Sequence, residues 1–234
     1  MRRISIILTV LLCSLTIPTM ADEPVEVKLS AAVVNQYIWR GLELGHASVQ
    51  PTLGIGWKGL SLEAWGTVGI ANSEDTRELD LTASYTTGGL TVGLVDYWCN
   101  SPEERYFYYK AHGTSHVFEA FAGYDFGVVS ASWQTIFGGN DGLNKQEKRA
   151  YSSYLELKAP FRLATCDWEA TVGMVPYATT YYETTGFAVT NVSLQVSKGI
   201  QLTDHFTLPV FGQFIANPCS GHAYLVFGFT LSKP

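Results

Sequence analysis

From Val25 to Leu231 the chain alternates apolar and polar side chains in stretches of roughly ten residues, each closed by a turn. That is the length a tilted strand needs to cross a bilayer. Val192, Leu194 and Val196 interleave with Asn191, Ser193, Gln195 and Ser197, and Leu79, Leu81, Ala83 and Tyr85 with Glu78, Asp80, Thr82 and Ser84. Successive side chains of a strand point to opposite faces, so each stretch has one apolar and one polar face. A soluble sandwich alternates too. Here carboxylates recur in mid-strand on the polar face, while Trp, Tyr and Phe crowd the apolar one. That combination predicts an all-β fold: a closed antiparallel up-and-down transmembrane β-barrel with its polar side inward.

Twelve strands follow from the pattern. They are Val27 to Trp39, Val49 to Trp57, Leu60 to Ile70, Glu78 to Tyr85, Leu90 to Trp98, His116 to Phe126, Val128 to Phe137, Tyr151 to Lys158, Trp168 to Tyr177, Ala188 to Ser197, Phe206 to Ala216 and Ala223 to Leu231. Their connections alternate in length. Lys58-Gly59, Thr87-Gly88-Gly89 and Phe126-Gly127 are tight, with moderate turns near Phe161 to Thr165 and Gly199 to His205. Ser73 to Arg77, Asn100 to Ser115 and Gly138 to Arg149 are longer and more polar. Short periplasmic turns and long external loops are the habit of outer-membrane barrels, and the even strand count agrees. Both termini fall at the short-turn end.

The last strand sets Leu225, Phe227, Phe229 and Leu231 against Tyr224, Val226, Gly228 and Thr230. A terminal strand rich in aromatic and aliphatic residues resembles the signal read by outer-membrane barrel assembly machinery, although this one ends Ser232-Lys233-Pro234. Trp39, Trp57, Trp98, Trp133 and Trp168 sit near strand ends, as aromatic girdles at the headgroup level require. Trp65 is expected inside, beside Glu63. In the fifth strand, placing Asp96 in the lumen would also turn Leu90, Val92 and Leu94 inward, so a bulge is expected there.

Residues 1–21 read as a cleaved signal peptide. Arg2 and Arg3 precede an apolar core, Ile4 to Ile17, too short to span a bilayer, and Thr19-Met20-Ala21 is a small-residue cleavage site. Its removal leaves 13 basic against 21 acidic residues, so residues 22–234, a single barrel domain, carry a net charge of −8. Such an acidic chain without a basic stripe is not expected to bind nucleic acid. Charged residues make up 15% of the chain, below the roughly 25% of ordinary soluble domains, which suits a wall facing lipid. A monomer in the outer membrane of a Gram-negative bacterium is expected, with outer-membrane lipid around it.

The candidate lumen holds Glu63, Asp80, Asp96, Glu119, Glu156 and Glu169, with Arg40 and Lys158 as its main cations. Two readings stand side by side: a polar network that fills and stiffens the barrel, or a ring of carboxylates that favours small polar or cationic solutes. Arg40, placed at the external mouth, is expected to pair with Glu78 and Asp80. The run Tyr106-Phe107-Tyr108-Tyr109 either stacks on ligand rings or continues the barrel wall above the membrane. Ser220 and His222 are close in sequence but lack a nucleophile-elbow pattern, so a barrel-embedded lipid hydrolase is the weaker alternative. His46, His112, His116, His205 and His222 show no zinc-like spacing, and neither metal nor cofactor is expected. Cys99 and Cys219 either form a disulfide across the external end or stay free.

Ser30-Ala31-Ala32-Val33 leading to Tyr37-Ile38-Trp39-Arg40-Gly41 resembles the opening motif of the Gcw_chp-type conserved hypothetical proteins of Gram-negative bacteria. Pro51 and Glu78-Leu79-Asp80 with Tyr85 extend the likeness through the first half. Asn217-Pro218 and Tyr224 to Phe229 look like related barrels of the Bacteroides group. The resemblance implies a signal-bearing outer-membrane barrel with no assigned catalytic residue. The expected function is a passive narrow channel for small solutes or a plugged structural barrel, with a soluble periplasmic β-sandwich binding protein as the rival.

Overall fold

The computed structural model describes residues 24–72, 75–100, 105–110 and 113–232. The expected signal peptide lies outside the described residues. Fourteen strands are formed: β1 (Glu26–Val34), β2 (Tyr37–Trp39), β3 (Leu42–Gly45), β4 (Ser48–Trp57), β5 (Leu60–Gly69), β6 (Arg77–Thr87), β7 (Leu90–Asn100), β8 (His116–Asp125), β9 (Ser130–Gly139), β10 (Ser153–Leu163), β11 (Cys166–Val175), β12 (Ala188–Thr203), β13 (Phe206–Asn217) and β14 (His222–Ser232). Twelve of them close into one antiparallel barrel, in which β1 joins β14 on one side and β4 on the other. Closure leaves no open edge for lipid to meet, which makes the architecture compatible with a membrane.

The wall strands match the alternation closely, with one exception. The expected first strand, Val27 to Trp39, leaves the wall after Val34. Residues 37–45 form a separate hairpin, β2–β3, that pairs only with itself. Asn35 marks the departure: its amide group bonds the Leu225 carbonyl and the Phe227 N–H of β14, at 3.1 and 2.6 Å. A side chain thus satisfies ladder groups that the missing strand leaves behind.

Directly paired residues of neighbouring strands share a face, so the register sorts the wall. Lys28, Gly54, Glu63, Thr82, Val95 and Glu119 form one continuous row, and Leu29, Leu53, Ala64, Leu81, Asp96 and Phe118 form the adjacent one. The first row faces the lumen, where Glu119 meets the hairpin. The second faces out. Exposed Leu53, Leu62, Leu94, Val192, Leu194, Phe214, Leu225 and Phe227 all lie on this outer face. A soluble monomer rarely shows so broad an apolar surface, whereas a transmembrane barrel requires one.

Asp96 is therefore outside, not in the lumen as its charge suggested. β7 pairs with β6 and β8 in unbroken register, so the expected bulge is absent there. Asp96 is accommodated on the wall by His116, whose Nδ1 lies 2.7 Å from its Oδ1.

Val192→Arg, on the outer face, should cost the folded barrel about 2–4 kcal/mol in urea titrations in phospholipid vesicles. Gln195→Arg, on the lumen face of the same strand, should cost clearly less. Equal or reversed costs would contradict the assigned faces.

Candidate functional site

The hairpin is the first candidate because it crosses the lumen. Its turn, Trp39-Arg40-Gly41-Leu42, has positive φ at both central residues, 50° at Arg40 and 83° at Gly41. This is the mirror-image turn that suits the twist of a two-residue hairpin. Gly41 is needed for a second reason: a Cβ there would lie 1.9 Å from the Thr190 carbonyl oxygen of β12. Asn217 of β13 donates to the Gly41 carbonyl at 3.1 Å. Apolar contacts hold the stem and tip. Ile38 packs against Val34, Ile215 and Val226, and Trp39 and Leu42 pack against Tyr154, Val175 and Tyr182.

Arg40 sits at the centre of this arrangement. Its guanidinium forks onto Glu119 of β8, Nη1 to Oε2 at 2.6 Å and Nη2 to Oε1 at 2.8 Å. Nη1 also donates to the Tyr182 hydroxyl, and Tyr97 donates to Glu119 Oε1 at 2.9 Å. The guanidinium carbon lies 4.3 Å from the Trp39 ring centre and 4.7 Å from that of Tyr154. Side-chain exposure is 10% for Arg40 and 1% for Glu119. A planar cation with a bidentate carboxylate and two aromatic faces has nearly every donor and face occupied.

Arg40 therefore does not take the partners expected from sequence. Glu78 and Asp80 lie on the lumen face of β6, but Glu78 Oε2 accepts from Tyr37 Oη at 3.0 Å and takes a bond from the Cys99 thiol. Asp80 sits one lumen step deeper, opposite Trp65 and Tyr97, and its Oδ1 is buried without a hydrogen-bond partner. Among the described residues, neither acid joins a salt bridge. The reason for the misplacement is the hairpin, which carries Arg40 past β6 toward β8.

The remaining lumen candidates form local pairs. Lys28, a cation that sequence reasoning did not single out, bonds Glu63 at 2.7 Å, and Lys158 lies 3.0 Å from Glu156. Glu156 also accepts from Tyr154 Oη at 3.2 Å. Glu169 faces the lumen opposite Gln195. Near the short turns a cavity of about 540 Å³ is lined by Glu26, Lys28, Ser30, Glu63, Thr230 and Ser232 among others.

At the long-loop end, Tyr106 and Tyr109 lie against the outer wall. Tyr109 stacks on His116 with ring centres 4.3 Å apart, and Tyr106 meets His116 and Trp98 edge-on. Phe107 stays exposed, as do the partly covered Tyr108 and Tyr109. Trp39, expected in an aromatic girdle, is in the lumen instead. Cys99, Cys166 and Cys219 are free thiols, and Cys99 faces the lumen beside Glu78. Between Ser220 and His222 the contact is a backbone N–H of His222 on Ser220 Oγ at 3.4 Å, so no imidazole activates that hydroxyl there. The sequence did carry signals for the hairpin: Asn35-Gln36 breaks the alternation, and Arg40-Gly41 is a two-residue turn between Ile38-Trp39 and Leu42-Glu43-Leu44.

No protein-family model and no characterised protein sequence matches the chain. Among solved structures, the chain overlaps the NanC porin at a TM-score of 0.48 and 8% identity, over 89% of this chain and 100% of that one. The outer membrane protein OpdK from Pseudomonas aeruginosa gives 0.38 and 13%, over 88% of this chain and 61% of that one. A bacterial polysaccharide outer membrane secretin gives 0.36 and 11%, over 90% and 98%. These are loose likenesses, and neither the fold nor the function of this chain rests on them.

Two measurements test the hairpin's anchors. Arg40→Ala should destabilise the folded barrel by about 3–5 kcal/mol in urea titrations, because it strands the buried Glu119 carboxylate. Adding Glu119→Gln should cost less than the sum of the single changes, and strict additivity would mean the pair is not coupled. At the hairpin base, His46 Nδ1 lies 2.8 Å from Asp75 Oδ1 in the neighbouring loop. The hydrogen bond with Asp75 raises the His46 pKa above 6.5, and the same bond lowers that of Asp75. The pair therefore persists from the acid range where Asp75 gains a proton up to the range above 6.5 where His46 loses one. NMR titration should show His46 deprotonating above 6.5, and Asp75→Asn should return it to the ordinary value.

Proposed function

We propose that the chain is an outer-membrane channel for small solutes, narrowed by the β2–β3 hairpin. The observation that carries this reading is the placement of the hairpin. It leaves the wall at β1 and reaches Glu119 on β8, Tyr154 on β10, Thr190 on β12 and Asn217 on β13. An apolar outer wall encloses a lumen lined by carboxylates, hydroxyls and paired cations, which is the division of surfaces that aqueous passage requires. Outer-membrane lipid surrounds the wall in this reading, and β14 is the strand presented to the assembly machinery. A non-conducting structural barrel is the second reading, favoured by how completely the contacts of Arg40 are satisfied.

Planar-bilayer recording separates the two. The intact protein should give small, cation-preferring conductance steps. Replacing residues 37–45 by a short Gly-Ser turn should enlarge those steps several-fold, provided that heat-modifiable migration shows the variant still folds. Silence from both proteins would support the structural barrel.

A further inference from the structure

Against the hairpin lies a cavity of about 330 Å³. Its walls are Trp39, Leu42 and Leu44 from the hairpin, Glu78, Tyr97, Cys99 and Val117 from the barrel, and Tyr181 from the loop that follows β11. Thr76, Ser115 and Asn140, which flank β6, β8 and β9 at the long-loop end, complete its rim. The cavity thus faces the external side of the hairpin. Its volume is within the range of small-molecule sites.

Its chemistry is one-sided. Trp39 meets Tyr97 and Tyr181 edge-on, at ring-centre distances of 5.9 and 6.2 Å, so three aromatic residues converge on one wall. Beside Tyr97, on the neighbouring strand, the lining carries Glu78, and Asp80 lies two residues along the same face, outside the lining. Asp80 is 9% exposed, and its carboxyl bonds that of Glu78, so the two acids share a proton and Glu78 carries the negative charge at the cavity wall. No Lys or Arg lines the cavity. Arg40, a nearby cation among the described residues, is already bound bidentately by Glu119 and lies against Trp39 and Tyr154. A carboxylate in a confined space favours a positive charge beside it, and aromatic faces attract cations with apolar skirts that strip water cheaply.

We infer that this cavity is a binding site for a small organic cation of the alkylammonium class, held by Glu78 against the rings of Trp39, Tyr97 and Tyr181. A metal ion fits less well, because Leu42, Leu44, Val117 and the Trp39 ring supply no oxygen ligand. An anionic ligand would meet the Glu78 carboxylate without a compensating base. The site deepens the channel reading by naming a solute class. It also stands by itself, since binding does not require passage.

Calorimetric titration of the full barrel in detergent micelles tests the inference with two probes of the same shape: choline, and its uncharged isostere 3,3-dimethylbutan-1-ol. Choline should bind saturably, and the neutral alcohol at least ten-fold more weakly. Glu78→Gln, checked for folding by heat-modifiable migration, should weaken choline at least ten-fold. Glu63→Gln, in the separate Lys28 cluster near the short turns, should leave it unchanged. Absence of saturable choline binding, equal affinity for the alcohol, or an unaffected Glu78→Gln variant would overturn the site. The comparison of the two probes uses the unaltered protein and needs no variant to fold. Choline binding without conductance would remove the channel and keep the site, and conductance without choline binding would do the reverse.

Discussion

A buried guanidinium must find its counter-ion, and in this barrel that requirement decides where the chain goes after Val34. Arg40 is brought to Glu119, 79 residues away in sequence, by bending a would-be wall strand into the lumen. Every other feature of the hairpin follows from holding that pair. The mirror-image turn places the guanidinium at the tip. The bare backbone of Gly41 lets the tip approach β12. Trp39 and Tyr154 lie over the ion, Tyr182 accepts a further bond from it, and Tyr97 donates to its partner Glu119. In a lumen with little room for water, an unmatched charge on either partner is costly, so the two are held together.

The departure of β2 from the wall leaves ladder groups of β14 unpaired, and the backbone and side chain of Asn35 meet them. Asn35 replaces a ladder residue against β14, and Ile38 packs over the lumenal side of the seam. Below this level β1 pairs normally with both neighbours. The barrel therefore has a continuous wall near the short turns and an internally braced wall near the long loops. Charge follows the same division. Lys28 with Glu63 and Lys158 with Glu156 are neutralised locally along the wall. At the level of the hairpin, Arg40 serves Glu119, while Glu78 and Asp80 bond each other and Glu78 takes a phenol and a thiol besides.

The outer wall shows how one ionisable residue is tolerated where lipid is expected. Asp96 sits in a row of Leu, Ala and Phe, paired with His116, while Tyr106 and Tyr109 close over the imidazole. The aromatic run that attracted attention in the sequence is thus spent largely on covering this pair. Phe107 is the most exposed ring of the run.

Alternation by itself determined the barrel. The period of two, the even count of wall strands and the loop asymmetry are local properties, because each strand advertises its faces without reference to its partners. The facing of Val192, of Trp65 beside Glu63, and of Leu225 and Phe227 was legible for that reason. The faces of Asp96 and the route of Arg40 were not. Charge suggested a lumenal Asp96, but the unbroken register of β7 follows the apolar majority of its strand, and His116 supplies the partner that makes this affordable. Arg40 looked like a strand end facing Glu78 because those residues are near in predicted position. Only the closed barrel brings Glu119, Tyr154, Tyr182 and Thr190 to one point, and no local pattern encodes which of several lumenal acids a folded-in arginine will reach.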